Sequence, residues 1–286
     1  MDAVEISVQA KYECLLFDMD DTLYPLSTGL NLACRRNIEE YMINHLNIDE
    51  KEVPKMCLEL YREHGTTMAG LKALGFEFDN DEFHEYVHGR LPYENLKPDP
   101  VLRNLLLSMP QRKIIFTNAD KAHAAKVLCK LGLEDCFEGV ICFETLNPSN
   151  DNHGDSDHFS MTETSVDNID SDDSSEYETD ESVSGGCSHI VCKPSPEAFH
   201  AAIRLANVNP KKTIFFDDSV RNIATAKTTG LVTVIVGKEA LVPGADFALN
   251  SIHNIREAIP EIWECGEEDQ MEQVLPLTGV ETVVLA

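Results

Sequence analysis

Three short runs in this chain, CLLF (14–17), KIIF (113–116) and TIFF (213–216), stop abruptly at acidic, amide or hydroxyl residues. The first is followed by Asp18, Asp20, Asp21 and Thr22, the second by Thr117 and Asn118, the third by Asp217, Asp218 and Ser219. Between such runs lie stretches of helical periodicity. Short apolar strands alternating with helices call for parallel pairing through crossover connections, so the expected fold is α/β, a doubly wound parallel sheet. Strands are expected over 12–17, 113–116, 140–143, 213–216 and 231–236. Helices are expected over 119–131, with apolar Ala122, Ala125, Val127, Leu128 and Leu131 and a stop at Gly132, and over 196–206, with Ser195 as cap and Glu197 in the first turn.

Residues 24–96 read differently. Successive helical patterns, such as 30–46 and 53–63, follow one another without a convincing strand, and a turn is expected within 70–78 before Pro98 and Pro100 mark the return to the sheet. The expected organisation is a catalytic core over 12–23 and 97–263, a helical cap over 24–96, an acidic insertion over 147–188 and an acidic tail over 264–286. The insertion is rich in Ser, Asp, Glu and Asn, with too few apolar residues to offset the entropy of ordering it. It reads either as a tolerated loop or as a regulatory segment, since Ser175 followed by Glu178 suits an acid-directed kinase.

The formal charge of −27 is unevenly spread. Twelve acidic residues lie between Asn147 and His189 and six more from Glu264 onward, neither segment holding a Lys or Arg, and without those eighteen charges the body carries −9. Such a body gains no long-range attraction for an anion and is not expected to bind nucleic acid. No apolar run reaches the roughly 20 residues of a membrane span, and residues 1–11 lack the apolar region of a secretory signal. Nine cysteines, an odd number without a Cys-x-x-Cys pair, fit free thiols in a reducing compartment. The cytoplasm is the expected location, with the nucleus also open. Cys187, His189 and Cys192 are poorly spaced for zinc.

Taken singly, an Asp or Asn after a strand is usually a turn former or helix cap, and a Lys before Pro, as Lys193 is, is usually solvated. Their conjunction is less ordinary. In open α/β sheets ligands bind beyond the carboxyl ends of the strands. Asp18, Asp20 and Asp21 at the end of a buried strand raise each other's pKa and repel unless a cation or hydrogen bonds compensate. The cluster needs a partner.

With these residues in this order, the sequence resembles the haloacid dehalogenase superfamily of phosphotransferases over nearly all of 12–260, the acidic insertion excepted. "DMDDTLYP", "IIFTNAD" and "FFDDS" are most similar to its pyrimidine 5′-nucleotidase-like branch. "YREHGTTMAGLKALG" and "HGRLPYENLKPDP" resemble plant members, among them one acting on xanthosine monophosphate. The resemblance implies an aspartyl-phosphate mechanism, with Asp18 as nucleophile and Asp20 as general acid and then general base. A halide leaves without a proton and dehalogenating members lack the second carboxylate, so Asp20 argues for phosphate chemistry.

It further implies Mg²⁺ held by Asp18, the backbone carbonyl of Asp20 and Asp218, with Asp217 acting through water or by orienting a neighbour. Thr117 and the Asn118 backbone would bind phosphoryl oxygens, Lys193 would counter the charge, and Asp21 is left structural. In the cap, Tyr61, His64, His88 and Arg90 either meet the substrate or pack the helices. The expected substrate is a small phosphomonoester, a pyrimidine nucleotide or xanthosine monophosphate. A sugar-phosphate phosphatase, a phosphomutase and a non-catalytic regulatory protein remain as alternatives.

Overall fold

The computed structural model describes residues 11–148 and 189–264. The expected insertion and tail, with Ser175 and Cys187, fall outside the described residues except at their margins. Six parallel strands form one sheet: β1 (Cys14–Phe17), β2 (Arg112–Phe116), β3 (Gly139–Ile141), β4 (Thr213–Asp217), β5 (Val232–Val236) and β6 (Phe247–Leu249), in the order β3-β2-β1-β4-β5-β6. This is the expected doubly wound sheet. The chain leaves β1 for β2 and β3 on one side and returns to β4, β5 and β6 on the other, so the switch point lies at the carboxyl end of β1. Phe17 pairs with Ile115 and with Phe216, which brings the residues after β1, β2 and β4 to one edge.

The apolar runs are continuous because both faces of the sheet are covered. Leu15 and Phe17 point into one layer with Ile115, Phe216 and Val234, where Phe17 stacks on Phe216 with ring centroids 4.6 Å apart. Cys14 and Leu16 point into the other with Phe116, Phe215 and Phe199. Helices such as that over 121–131 on the first layer and that over 196–206 on the second cover these faces with apolar stripes.

Between β1 and β2 the chain forms α1 (Leu30–Asn44), α2 (Val53–His64), α3 (Thr67–Ala73) and α4 (Asn80–His88), and then α5 (Pro100–Leu107) on the sheet. Cap helices α1 to α4 share a core of Tyr41, Met42, Cys57, Leu60, Leu71, Phe83 and Val87. The segment 70–78, expected as a turn, is helical as far as Ala73, and the reversal falls at Gly75, whose φ of 85° suits a glycine. Thr66 and Asp79 cap α3 and α4 by accepting from Ala69 N and Glu82 N.

The remaining helices are α6 (Lys121–Leu131), α7 (Phe143–Leu146), α8 (Pro196–Ala206), α9 (Val220–Thr228) and α10 (Ile255–Ala258). The third expected strand ends early, at Ile141, because Cys142 caps α7 and Phe143 turns under the cap core. Strand β6, three residues at the sheet edge, went unread because FAL is too short to carry a period. No helix among the described residues is long and apolar enough to cross a membrane. The seven described cysteines are free.

Cap and core meet closely at Gly65. Its φ is +88°, and a Cβ there would lie 2.4 Å from the Lys193 carbonyl oxygen and 2.7 Å from Pro194 Cδ, so only glycine lets the α2–α3 turn sit on the Lys193 segment. Beside it, the Arg221 guanidinium donates to the carbonyls of Tyr61 (3.0 Å) and Arg62 (2.7 Å) at the carboxyl end of α2, where a cation suits the helix dipole.

Candidate active site

At the switch point Asp18 is buried. Its Oδ2 accepts from Thr22 Oγ1 at 2.8 Å and its Oδ1 from Lys193 Nζ at 2.7 Å. Lys193 uses its other two protons on Asp217 Oδ2 (2.9 Å) and the Phe116 carbonyl (2.7 Å), and is only 1% exposed. A lysine before proline, ordinarily solvated, is therefore the buried counter-charge of the site. Asn118 holds it there: its side chain donates to the Lys193 carbonyl (2.9 Å) and accepts from the Lys193 amide (2.8 Å). The Asn118 side chain is thus committed to Lys193, which leaves its backbone as the group able to meet a phosphate. Thr117 is buried, with Oγ1 accepting from Ala119 N at 3.1 Å.

Asp217 is fully buried and accepts from Lys193, from Ser219 N (2.8 Å) and from Asn222 Nδ2 (3.0 Å to each oxygen). Asp218 is partly buried, and among the described residues its carboxylate has no hydrogen-bonding partner. Oxygens of Asp18, Asp217 and Asp218 lie within 4.8 Å of one another. Three carboxylates share one lysine, and the excess charge shows in the acidities of Asp18 and Asp218. Burial pushes Asp18 up to about 7, with Asp217 and Asp20 adding to the push against Lys193. Burial, then the charges of Asp18 and Asp217, pushes Asp218 up to about 8. Burial alone would lower Lys193, but Asp18 and Asp217 hold it above the ordinary lysine range.

A group of hard oxygen donors with surplus negative charge fits Mg²⁺. Asp18 and Asp218 are the two carboxylates free to hold it, since Asp217 is saturated by Lys193, Asn222 and Ser219. The raised acidities give a sign that can be checked. A carboxylate whose folded pKa lies above its unfolded value costs stability as pH rises through that folded pKa, and a cation must displace its proton. The stabilisation by saturating Mg²⁺ should therefore be larger at about pH 8.5 than at about pH 6, read as the shift in Tm. Asp218→Asn should remove most of that difference; a shift independent of pH and of Asp218 would place the cation elsewhere.

Asp20 does not join this group. Its Oδ1 accepts from Tyr24 Oη and, at 2.8 Å, from His123 Nε2. Burial alone would raise this carboxyl, but His123 and Tyr24 hold it down to about 2. Asp20 lines a cleft of about 370 Å³ between cap and core, together with Arg35, Tyr61, His88, His123 and the apolar Ile38 and Leu58. Asp18, Lys193 and Asp218 do not line this cleft; of the β1 motif, Asp20 is the carboxylate that does, with Tyr24 beside it.

The cap residues named from the sequence part company. Tyr61 and His88 line the cleft, Tyr61 stacking under the Arg221 guanidinium and His88 pairing with Asp120, the cap of α6. His64 lies instead in a second cleft, of about 350 Å³, with His189, Cys192 and Ser195. Arg90 sits beyond the end of α4 on the outer face, where it pairs with Glu40 at 2.7 Å and stacks on Tyr86, so it is not brought to the site. Asn31, Arg35, Tyr24 and His123 are participants that sequence reasoning missed. Arg35 follows Asn31 by one helical turn, and both line the cleft; Tyr24 follows Asp20 by four residues. Those spacings were legible. His123 is 103 residues from Asp20 and had no local signal.

Comparison with known proteins supports the reading of the fold. A family model described as haloacid dehalogenase-like hydrolase matches residues 156–230, a stretch with Lys193, Asp217 and Asp218 but without Asp18. Phosphate metabolism protein 8 of Saccharomyces cerevisiae is 24% identical over 228 residues, which cover 77% of this chain and 60% of that protein; the chain spans only about 60% of the relative's length. Among solved structures, the HAD phosphatase from Thermococcus onnurineus is similar at TM-score 0.50 and 17% identity, covering 86% of this chain and 96% of that one. The HAD-hydrolase YfnB from Bacillus subtilis, bound to magnesium, is similar at TM-score 0.50 and 18% identity, covering 87% and 98%. CbbY from Rhodobacter sphaeroides, in complex with phosphate, is similar at TM-score 0.51 and 16% identity, covering 85% and 96%. The structural likenesses show the fold. The haloacid dehalogenase-like hydrolase match rests on residues 156–230, and these comparisons leave the substrate open.

Proposed function

We propose that this chain is a Mg²⁺-dependent phosphomonoesterase that works through an aspartyl phosphate and acts on a nucleoside 5′-monophosphate, with pyrimidine nucleotides or xanthosine monophosphate as leading candidates. The observation that supports it most is Asp18 itself. It is a carboxylate fixed by Lys193 and Thr22 at the carboxyl end of the central strand, next to two further carboxylates and beside an acid group that reaches into a cleft.

In the first half-reaction a carboxylate oxygen of Asp18 attacks phosphorus in line and the bond from phosphorus to the ester oxygen breaks, while Asp20, ionised in the free site, takes up a solvent proton as the anionic ester binds beside it and passes that proton to the departing alkoxide. In the second, the Asp20 carboxylate takes a proton from water, whose oxygen attacks the same phosphorus and releases phosphate and the Asp18 carboxylate. Lys193 stays protonated throughout and counters the charge of both the nucleophile and the phosphoryl oxygens, while Thr117 and the Asn118 backbone are placed to donate to those oxygens. A Mg²⁺ held by Asp18, Asp218 and the Asp20 backbone carbonyl would supply charge neutralisation that lets an anionic nucleophile approach an anionic ester.

The cleft supports more than a bare phosphate ester as substrate. Its volume of about 370 Å³, with Tyr61, Arg35 and Asn31 set among apolar residues, suits a leaving group with a flat apolar body and hydrogen-bonding edges. A panel of phosphomonoesters tests this. One nucleotide should exceed sugar phosphates, phosphoglycolate and glycerol phosphate in kcat/KM by at least about tenfold, because a site that hydrogen-bonds its preferred base rejects esters that leave those groups unpaired. A sugar phosphate leading by that margin would retain the phosphatase chemistry and remove the nucleotide reading.

A further inference from the structure

Asp20 is gripped from two elements. Tyr24, one turn downstream, donates to it, and so does His123 from the first turn of α6. The His123 ring is buried, 3% exposed. Its Nδ1 is 2.7 Å from the Tyr93 hydroxyl, the His88 ring lies against it with centroids 4.6 Å apart, and its backbone amide donates to Asp120 Oδ2 at 3.1 Å. The tautomer follows from these partners. The Asp20 carboxylate can only accept, so Nε2 carries a proton whether the ring is neutral or charged, and only the sense of the Tyr93 contact changes. Asp120 fastens the arrangement by holding both the His123 amide and the His88 ring.

Among the described residues, Asp20 is also the one carboxylate of the β1 motif that lines the cleft in which a leaving group would sit. A carboxyl left to rotate there would present its proton to the ester oxygen for only part of the time, and proton transfer depends on hydrogen-bond geometry. We infer that His123, itself held by Tyr93 and His88, is a positioning residue that turns the Asp20 carboxyl toward the leaving-group oxygen. The inference rests on the proposed acid role of Asp20. In the step concerned, the bond from phosphorus to oxygen breaks, the leaving oxygen keeps the electron pair and takes the Asp20 proton, and His123 forms no bond to substrate.

The test compares leaving groups. An alkyl phosphate, the best ester of the substrate panel, needs a proton to depart, whereas p-nitrophenyl phosphate releases a stable phenolate. The ratio of their kcat/KM values reports only the phosphoryl transfer to Asp18. His123→Leu should lower the alkyl ester's kcat/KM relative to p-nitrophenyl phosphate by about tenfold or more, within the range of general acid catalysis, with the loss in kcat rather than KM. His123→Gln, which keeps an N–H donor at the place of Nε2, should restore most of the ratio. Should His123→Leu fail to fold, Tyr93→Phe, which frees the ring from its far side, is read instead and should shift the ratio in the same direction. If both esters slow equally in these variants, His123 is packing alone and the inference is wrong. Asp20→Asn separates the two levels. A split there without one at His123 overturns only the positioning role, whereas no split at Asp20 overturns the acid role beneath it.

Discussion

Asp18→Asn should abolish phosphomonoester turnover, by at least about 10⁴-fold, or about 5 kcal/mol of barrier, at any Mg²⁺ concentration. An amide oxygen is a poor nucleophile and the substitution also removes one of the two carboxylates free to hold the cation. The fold should survive it. Asp18 carries a pKa pushed up to about 7 by burial, so the native protein already bears the cost of an uncomfortable charge there, and a neutral isostere relieves it. A Tm equal to or above that of the unmodified chain, measured without metal, is the companion result. Appreciable turnover by this variant would remove Asp18 from the role of nucleophile.

Lys193→Met should have the opposite balance of effects, losing both activity and stability. Lys193 is the buried cation shared by Asp18 and Asp217, and its third proton satisfies the Phe116 carbonyl. Removing one partner of a buried ion pair costs about 3–5 kcal/mol because the remaining charge is left without compensation. The Tm should fall accordingly, and turnover should drop by about 10²-fold or more, as when one group stabilising transition-state charge is lost. Adding Asp217→Asn should recover part of the stability and none of the activity, since the pair is coupled. Lys193→Arg should not rescue, because a planar guanidinium does not fit a site only 1% exposed to solvent. A Lys193→Met protein as stable and as active as the parent would contradict the geometry described.

What could be read from the sequence follows from how local each signal was. β1, β2 and β4 were legible because both faces of the sheet are buried, which makes 14–17, 114–116 and 214–216 apolar at successive positions, and because each is followed by polar groups. Helix α8 spans the expected 196–206, announced by Ser195 as cap and Glu197 in the first turn, and it ends at Asn207, which adopts the left-handed conformation. β3 was drawn too long, since Phe143 is as apolar in α7 as in a strand and nothing in VICF distinguishes the two.

The site divides in the same way. Asp18, Thr117, Lys193, Asp217 and Asp218 announced themselves by spacing and by strand ends, whereas the cap residues did not. Tyr61 and His88 reach the cleft, but Arg90 turns outward to Glu40, one helix away, because its long side chain finds a carboxylate and the Tyr86 ring on the surface. Which face of a cap helix meets the core depends on packing over Gly65 and Phe143, and a one-residue change in helix phase would exchange those neighbours. The Asp20–His123–Tyr93 chain joins three distant segments and becomes visible only once β1, α6 and the loop before α5 are placed together.

The most direct test of the central claim is to trap the covalent enzyme. Asp20→Asn slows the water step, while p-nitrophenyl phosphate needs no proton to load the nucleophile, so acid quenching during turnover should preserve the acyl phosphate for peptide mass spectrometry. The account predicts one added phosphoryl group on the peptide containing Asp18, and none when Asp18→Asn is combined with it. A phosphoryl group on another residue, or steady release of phosphate with Asp18 never modified, would contradict it.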